Sequence, residues 1–252
     1  MPLNVVIEIC AGSVESAIAA KKGGAQRIEL CSALSEGGIT PSQALIEYVK
    51  RNLKIETFVL IRPRTGDFSY SRAEFEVMKS DIFSAKAKGA DGIVIGMLNT
   101  DGTIDTCRMK EIMDLARPLP VTFHRAFDLT RDPDKASEDI IKLGCKRILT
   151  SGQAQNALLG ADLIARLVKI ADNRISIMPG GGINAGNLQH IFDITGATEY
   201  HLSATTLVGS RMIFRKEGIS MGNGSGNEYE MAQTDQNLVS EICQIASKLG
   251  IG

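Results

Sequence analysis

Short apolar, β-branched runs recur along this chain, each followed by a stretch whose apolar residues return at helical spacing. The pattern predicts strands at Val5–Ala11, Arg27–Cys31, Glu56–Arg62, Gly92–Leu98, Val121–Phe127, Arg147–Ser151, Ile175–Met178 and Glu199–Ser203. Strands that alternate with helices pair in parallel, because each connection must cross back over the sheet. Eight such units closing on themselves make a single (β/α)8 TIM barrel, an α/β fold of about this length. The competing architecture is an open doubly wound sheet. However, the first strand runs into Ala11-Gly12-Ser13-Val14, which lacks the glycine spacing of a dinucleotide turn.

Helix punctuation fits the alternation. Thr40-Pro41 and Asp132-Pro133 each offer a cap followed by a first-turn proline, and Ser71 with Glu74 spells a capping box. Gly89 and Gly144 sit where helices should end. No domain boundary interrupts residues 1–252. The loosest stretch, 205–228, is expected to be a long mobile loop around Met221-Gly222-Asn223-Gly224-Ser225-Gly226-Asn227, before a last helix near Asp235–Leu249.

Within this apolar pattern one interruption is written twice: Ile7-Glu8-Ile9-Cys10 and Ile28-Glu29-Leu30-Cys31. In each copy the carboxylate and the thiol lie two residues apart and so share one face of the strand. Helices cover the outside of a barrel, so the apolar residues must face outward and the polar ones inward. That places Glu8, Cys10, Glu29 and Cys31 inside, joined by Thr122, His124, Glu199, His201 and Ser203, with Arg62 on the inward phase at the end of strand three. Such a mouth is more polar than packing requires. Taken one at a time, each residue also fits a structural role, as a buried ion pair or a small apolar thiol.

Two loops add to this chemistry. Gly180, Gly181 and Gly182 follow strand seven, where barrels of this kind often hold phosphate, and Asn184 is placed to cap the next helix. Arg62 and Arg64, with Asp67, form a second loop suited to an anionic ligand. His124-Arg125-Ala126-Phe127-Asp128 collects acid–base groups, and Thr150-Ser151-Gly152 supplies hydroxyl donors.

Composition narrows the functional classes. A formal net charge of -1 argues against an electrostatic nucleic-acid binder. No run of about 18 uncharged apolar residues suggests a membrane span, and the N-terminus lacks a signal-peptide pattern. A cytoplasmic protein is expected. Five cysteines, at 10, 31, 107, 145 and 243, show no C-x-x-C spacing and read as free thiols rather than a disulfide framework.

The chain resembles the CutC family of copper-homeostasis proteins nearly end to end. The resemblance rests on Glu8-Ile9-Cys10, Gly24 through Cys31, Glu36-Gly37-Gly38-Ile39-Thr40-Pro41-Ser42 and Ile61 through Phe68. It continues in Thr122 through Asp128, Arg147 through Gly152 and Met178 through Ile183. Gln26 stands where the family motif has Asp. The resemblance implies a cytoplasmic homo-oligomer whose Cys10 and Cys31 take Cu(I).

Two functions are therefore expected to compete. In the first, Cys10 and Cys31 are near-linear Cu(I) ligands, with Glu8, Glu29, Arg125, Asp128, His201 and Ser203 around them. In the second, the barrel is an enzyme for a small anionic or phosphorylated metabolite, with Glu8, Glu29 and His124 as acid–base groups and Arg62, Arg64 and Gly180–Gly182 gripping the anion.

Overall fold

The computed structural model describes residues 5–219, 221 and 227–249. Eight parallel strands form its centre: β1 (Val6–Ala11), β2 (Arg27–Leu30), β3 (Glu56–Leu60), β4 (Gly92–Ile95), β5 (Val121–Phe123), β6 (Arg147–Thr150), β7 (Ser176–Pro179) and β8 (Glu199–Leu202). Sequential strands pair in order and β8 returns to β1, with Glu8 opposite His201. The ring is completed by a single parallel bridge between Gly180 and His201. Only a glycine allows that approach, because a Cβ at 180 would stand 2.5 Å from Leu149 Cδ1 and 3.3 Å from His201 Cβ.

Helices α1 (Val14–Lys22), α2 (Gln43–Asn52), α3 (Arg72–Ala87), α4 (Thr106–Ala116), α5 (Pro133–Leu143), α6 (Ala161–Ala171), α7 (Leu188–Thr195) and α8 (Gln236–Ala246) ring the barrel. Outward strand residues such as Ile7, Ile9, Ile28 and Leu30 pack with helix residues such as Ile46, Ile164 and Ile191 in one continuous core. The Ser71–Glu74 capping box forms, and Asp132 caps α5 with Pro133 in its first turn. At α2 the cap is Ser42 rather than Thr40. The Thr40 hydroxyl instead accepts the Arg62 N–H at 3.0 Å, tying the loop after β3 to its neighbour. Asn184 likewise does not cap α7, and its Oδ1 accepts from Gly186 within the turn. Gln26, the departure from the family motif, accepts the Ile7 N–H at 2.8 Å.

Several strands end earlier than their apolar runs. The clearest case is β5, which stops at Phe123. Arg125–Leu129 then turns into a 3-10 helix capped by His124, whose Nδ1 accepts the Ala126 N–H. The residues peeled off in this way become the loops that shape the barrel mouth. Residues 205–228 do not form one long loop. They open with β9 (Thr205–Gly209), which pairs antiparallel with β10 (Glu230–Thr234). Residues 222–226, the centre of the expected mobile segment, lie outside the described residues.

Candidate metal centre at the barrel mouth

The interior has two polar levels. At the lower one, Arg27 and Arg147 start β2 and β6, while Glu199 starts β8. The Arg27 guanidinium pairs with both Glu8 and Glu199, and Arg147 Nε reaches Glu199 at 2.5 Å. Both guanidinium groups lie 5.0 Å from the centre of the Phe58 ring. Burial pushes the Glu8 carboxyl up, but the His201 hydrogen bond and the Arg27 charge more than offset it and hold the group at about 2. Glu8 is therefore an ionised member of a charge-paired floor, not a group presented to a substrate.

Above this floor stands His201. Its Nδ1 lies 2.8 Å from Glu8 Oε1, so the carboxylate fixes the ring and leaves Nε2 as the other nitrogen. Burial lowers the basicity of the imidazole, but Glu29 and Glu8 outweigh that and raise its pKa above the ordinary value. Ligand atoms of Cys10, Glu29 and His201 all lie within 4.8 Å of one another. Cys10 Sγ donates to Glu29 Oε1 at 3.4 Å and stands 3.6 Å from Cys31 Sγ. The Cys31 hydrogen bond, burial and the Glu29 charge push the Cys10 thiol well above its usual pKa, and burial raises Glu29. Burial thus works against the charged form of both groups.

The sulfur spacing bears on how the two thiols could share one ion. Two sulfurs held at about 2.3 Å from one ion stand ~4.6 Å apart if collinear and ~3.8 Å apart at a tetrahedral angle. A separation of 3.6 Å therefore suits a bent pair with room for a further donor. Cys31 itself is wholly buried behind the wall, with Sγ 3.8 Å from the Ala11 carbonyl.

These groups face a cavity of about 260 Å³, whose walls include Cys10, Glu29, Arg62, His124, Gly181 and His201. A thiol, an oriented imidazole and a carboxyl on one wall, with a second thiol behind the first, are groups able to hold a metal ion. Residues 5–206 match the family model described as the CutC family. The chain belongs to the CutC family.

CutC relatives extend the match to nearly the full chain. The copper homeostasis protein cutC homolog of Homo sapiens is 51% identical over 245 residues, 97% of this chain and 90% of the relative. The family protein CutC of Chromobacterium violaceum is 44% identical over 98% of this chain and 100% of its own. A solved CutC structure from Streptococcus agalactiae superposes with a TM-score of 0.76 at 34% identity, covering 79% of this chain and 98% of that one. Phosphoribosylanthranilate isomerase from Thermotoga maritima, at 13% identity and a TM-score of 0.58 over 97% of this chain and 100% of its own, shares the barrel fold.

The remaining expected residues divide between cavity and scaffold. Ser203 and Gly182 line the cavity. Gly180 serves barrel closure, its N–H already given to the Thr150 carbonyl at 2.9 Å. Arg64 is turned to its own loop. It binds Glu74 at 2.6 Å, Asp67 at 3.0 Å and three backbone carbonyls, and does not line the cavity. Asp128 is saturated by Arg125, Thr150, Gln153 and both donors of Ser151, which makes it a clamp between the loops after β5 and β6. Arg27 and Arg147 are missing from the sequence-based set. Their signal was in the alternation: each lies two residues before an inward position of its strand, Glu29 and Leu149.

Proposed function

We propose that this chain binds Cu(I) at the barrel mouth through Cys10 and Cys31, with His201 completing the coordination, as its part in copper homeostasis. The observation that carries this reading is the 3.6 Å separation of two thiols from adjacent strands. Thiolates are the ligands that select Cu(I) over harder ions. The Glu8–His201 bond supports it as well, since a carboxylate behind a ligating imidazole fixes the tautomer and raises its basicity. Binding would take the proton from Cys10, and the incoming charge would favour the ionised form of Glu29. A reducing cytoplasm is the compartment in which two free thiols would remain available.

Anaerobic Cu(I) titration against a competing chelator tests the proposal. One tightly held equivalent should bind the wild type, and Cys10→Ser and Cys31→Ser should each weaken it strongly. A second donor set shares Cys10, namely Cys10, Glu29 and His201, and would suit a borderline ion such as Zn2+. If Cys31→Ser leaves affinity intact while His201→Gln abolishes it, that mixed set replaces the thiol pair.

A further inference from the structure

We propose that the cavity also contains an oxyanion-binding subsite, built by His124, Arg62, Arg125 and the backbone N–H of Gly182, which takes the carboxylate or phosphate group of a small organic anion. These residues come from the loops after β3, β5 and β7, and none is a donor to the ion proposed above. The inference therefore stands or falls separately from the metal reading.

The first observation is a buried donor without an acceptor. His124 is 5% exposed and lines the cavity. Its Nδ1 accepts the Ala126 N–H at 3.2 Å, so the ring proton resides on Nε2. That Nε2 has no hydrogen-bond partner among the described residues. Buried polar atoms are nearly always paired, so an unpartnered donor on a residue that lines the cavity calls for a partner. Burial, then the Arg62 charge, hold the imidazole pKa down to about 3. The ring thus stays neutral near pH 7 and offers a fixed N–H.

The second observation is a buried charge without a counter-ion. Arg62 is 6% exposed and stacks over Phe68 with 5.1 Å between guanidinium and ring centre. It donates to the carbonyls of Glu36, Gly38 and Gly66, but among the described residues no carboxylate lies within 4.0 Å of it. A desolvated cation held only by carbonyl dipoles favours any anion that enters beside it.

The third observation is the unspent donors across the cavity. Arg125 gives Nε to Asp128 and one terminal nitrogen to Ser151, while its Nη1 stands 3.4 Å from where a Gly181 Cβ would be. The N–H of Gly182 makes no hydrogen bond among the described residues, whereas that of Gly181 faces the His201 carbonyl across the closing bridge. Both glycines hold positive φ, 99° and 73°, which larger residues resist. Two cations, a neutral imidazole N–H and a free amide make a set of donors that fits an oxyanion and rejects a cation. Leu34, Leu60, Phe68 and Ile183 supply apolar walls for a compact organic body.

The test uses the reduced, metal-free full chain. Inorganic phosphate, phenyl phosphate and benzoate are titrated while NMR follows the His124 ring N–H and the Gly182 amide, with affinity read by calorimetry. Saturable shifts at both positions are expected from at least one probe. The phosphates and benzoate distinguish a phosphate ligand from a carboxylate one. His124→Asn keeps an acceptor for the Ala126 N–H but removes the Nε2 donor, and Arg125→Gln removes a charge from a half-exposed position. Each should weaken binding about tenfold or more. If His124→Asn does not fold, Arg125→Gln decides alone. No shift with any probe at millimolar concentration, or equal affinity in the folded variants, overturns the proposal. Failure of the copper reading would show instead in the Cu(I) titration run without these anions.

Discussion

The pairing of Arg27 decides how Glu8 behaves. With Glu8 and Glu199 on one buried guanidinium, removing that cation leaves Glu8 with His201 and Glu199 with Arg147 but strips both buried carboxylates of their shared counter-ion. Arg27→Met should therefore cost about 3–5 kcal/mol in urea unfolding, the usual penalty for breaking rather than replacing a buried ion pair. Leaving Glu8 and Glu199 in place is what makes this variant severe. His124 makes a second residue-scale prediction. Its folded pKa lies at about 3, below the ordinary 6.5, so the unfolded chain binds the extra proton first. Stability from this group is complete above about pH 6.5 and falls as the pH drops toward 3, by roughly 1.4 kcal/mol per pH unit within that window. Chemical denaturation at pH 7, 6 and 5 should show that slope in the wild type and a shallower one in His124→Asn. An equal slope in both would remove His124 from the account.

At the scale of elements, the barrel closes where a backbone needs no side chain. Gly180→Ala would press a Cβ against Leu149 and His201 at the β7–β8 bridge. It should destabilise by about 1–3 kcal/mol, as overpacking does, and speed amide exchange in β8 more than in β4. Uniform loss of protection around the barrel would contradict a local seam. Strand order, strand number and the inward phase of Glu8, Cys10, Glu29 and Cys31 were legible in the sequence, because alternation and helix cover decide them. Strand ends were not. His124 through Phe127 look like strand by composition, yet the His124 side chain caps a 3-10 turn instead. The roles of Arg64 and Asp128 were also hidden, since a loop arginine or aspartate reads the same whether it meets a ligand or its own loop. The ionic floor follows from the same phase, since Arg27 and Arg147 stand at the strand starts two residues before Glu29 and Leu149.

For the whole molecule, the CutC family assignment and the two-level interior belong to one design. An ionic floor holds Glu8, Glu8 holds His201, and the mouth above presents Cys10 and Glu29 beside that ring. Ligand that binds only the native state raises stability by mass action. Cu(I) should raise the melting temperature of the wild type and leave that of the Cys10→Ser, Cys31→Ser double variant unmoved. An equal rise in both would place the ion elsewhere. The account rests most directly on copper X-ray absorption of the reduced protein loaded with one equivalent of Cu(I). It predicts two sulfur neighbours at about 2.3 Å and one nitrogen neighbour with the outer-shell signature of imidazole. A spectrum with no sulfur neighbour, or one that is the same in the double variant, would contradict it.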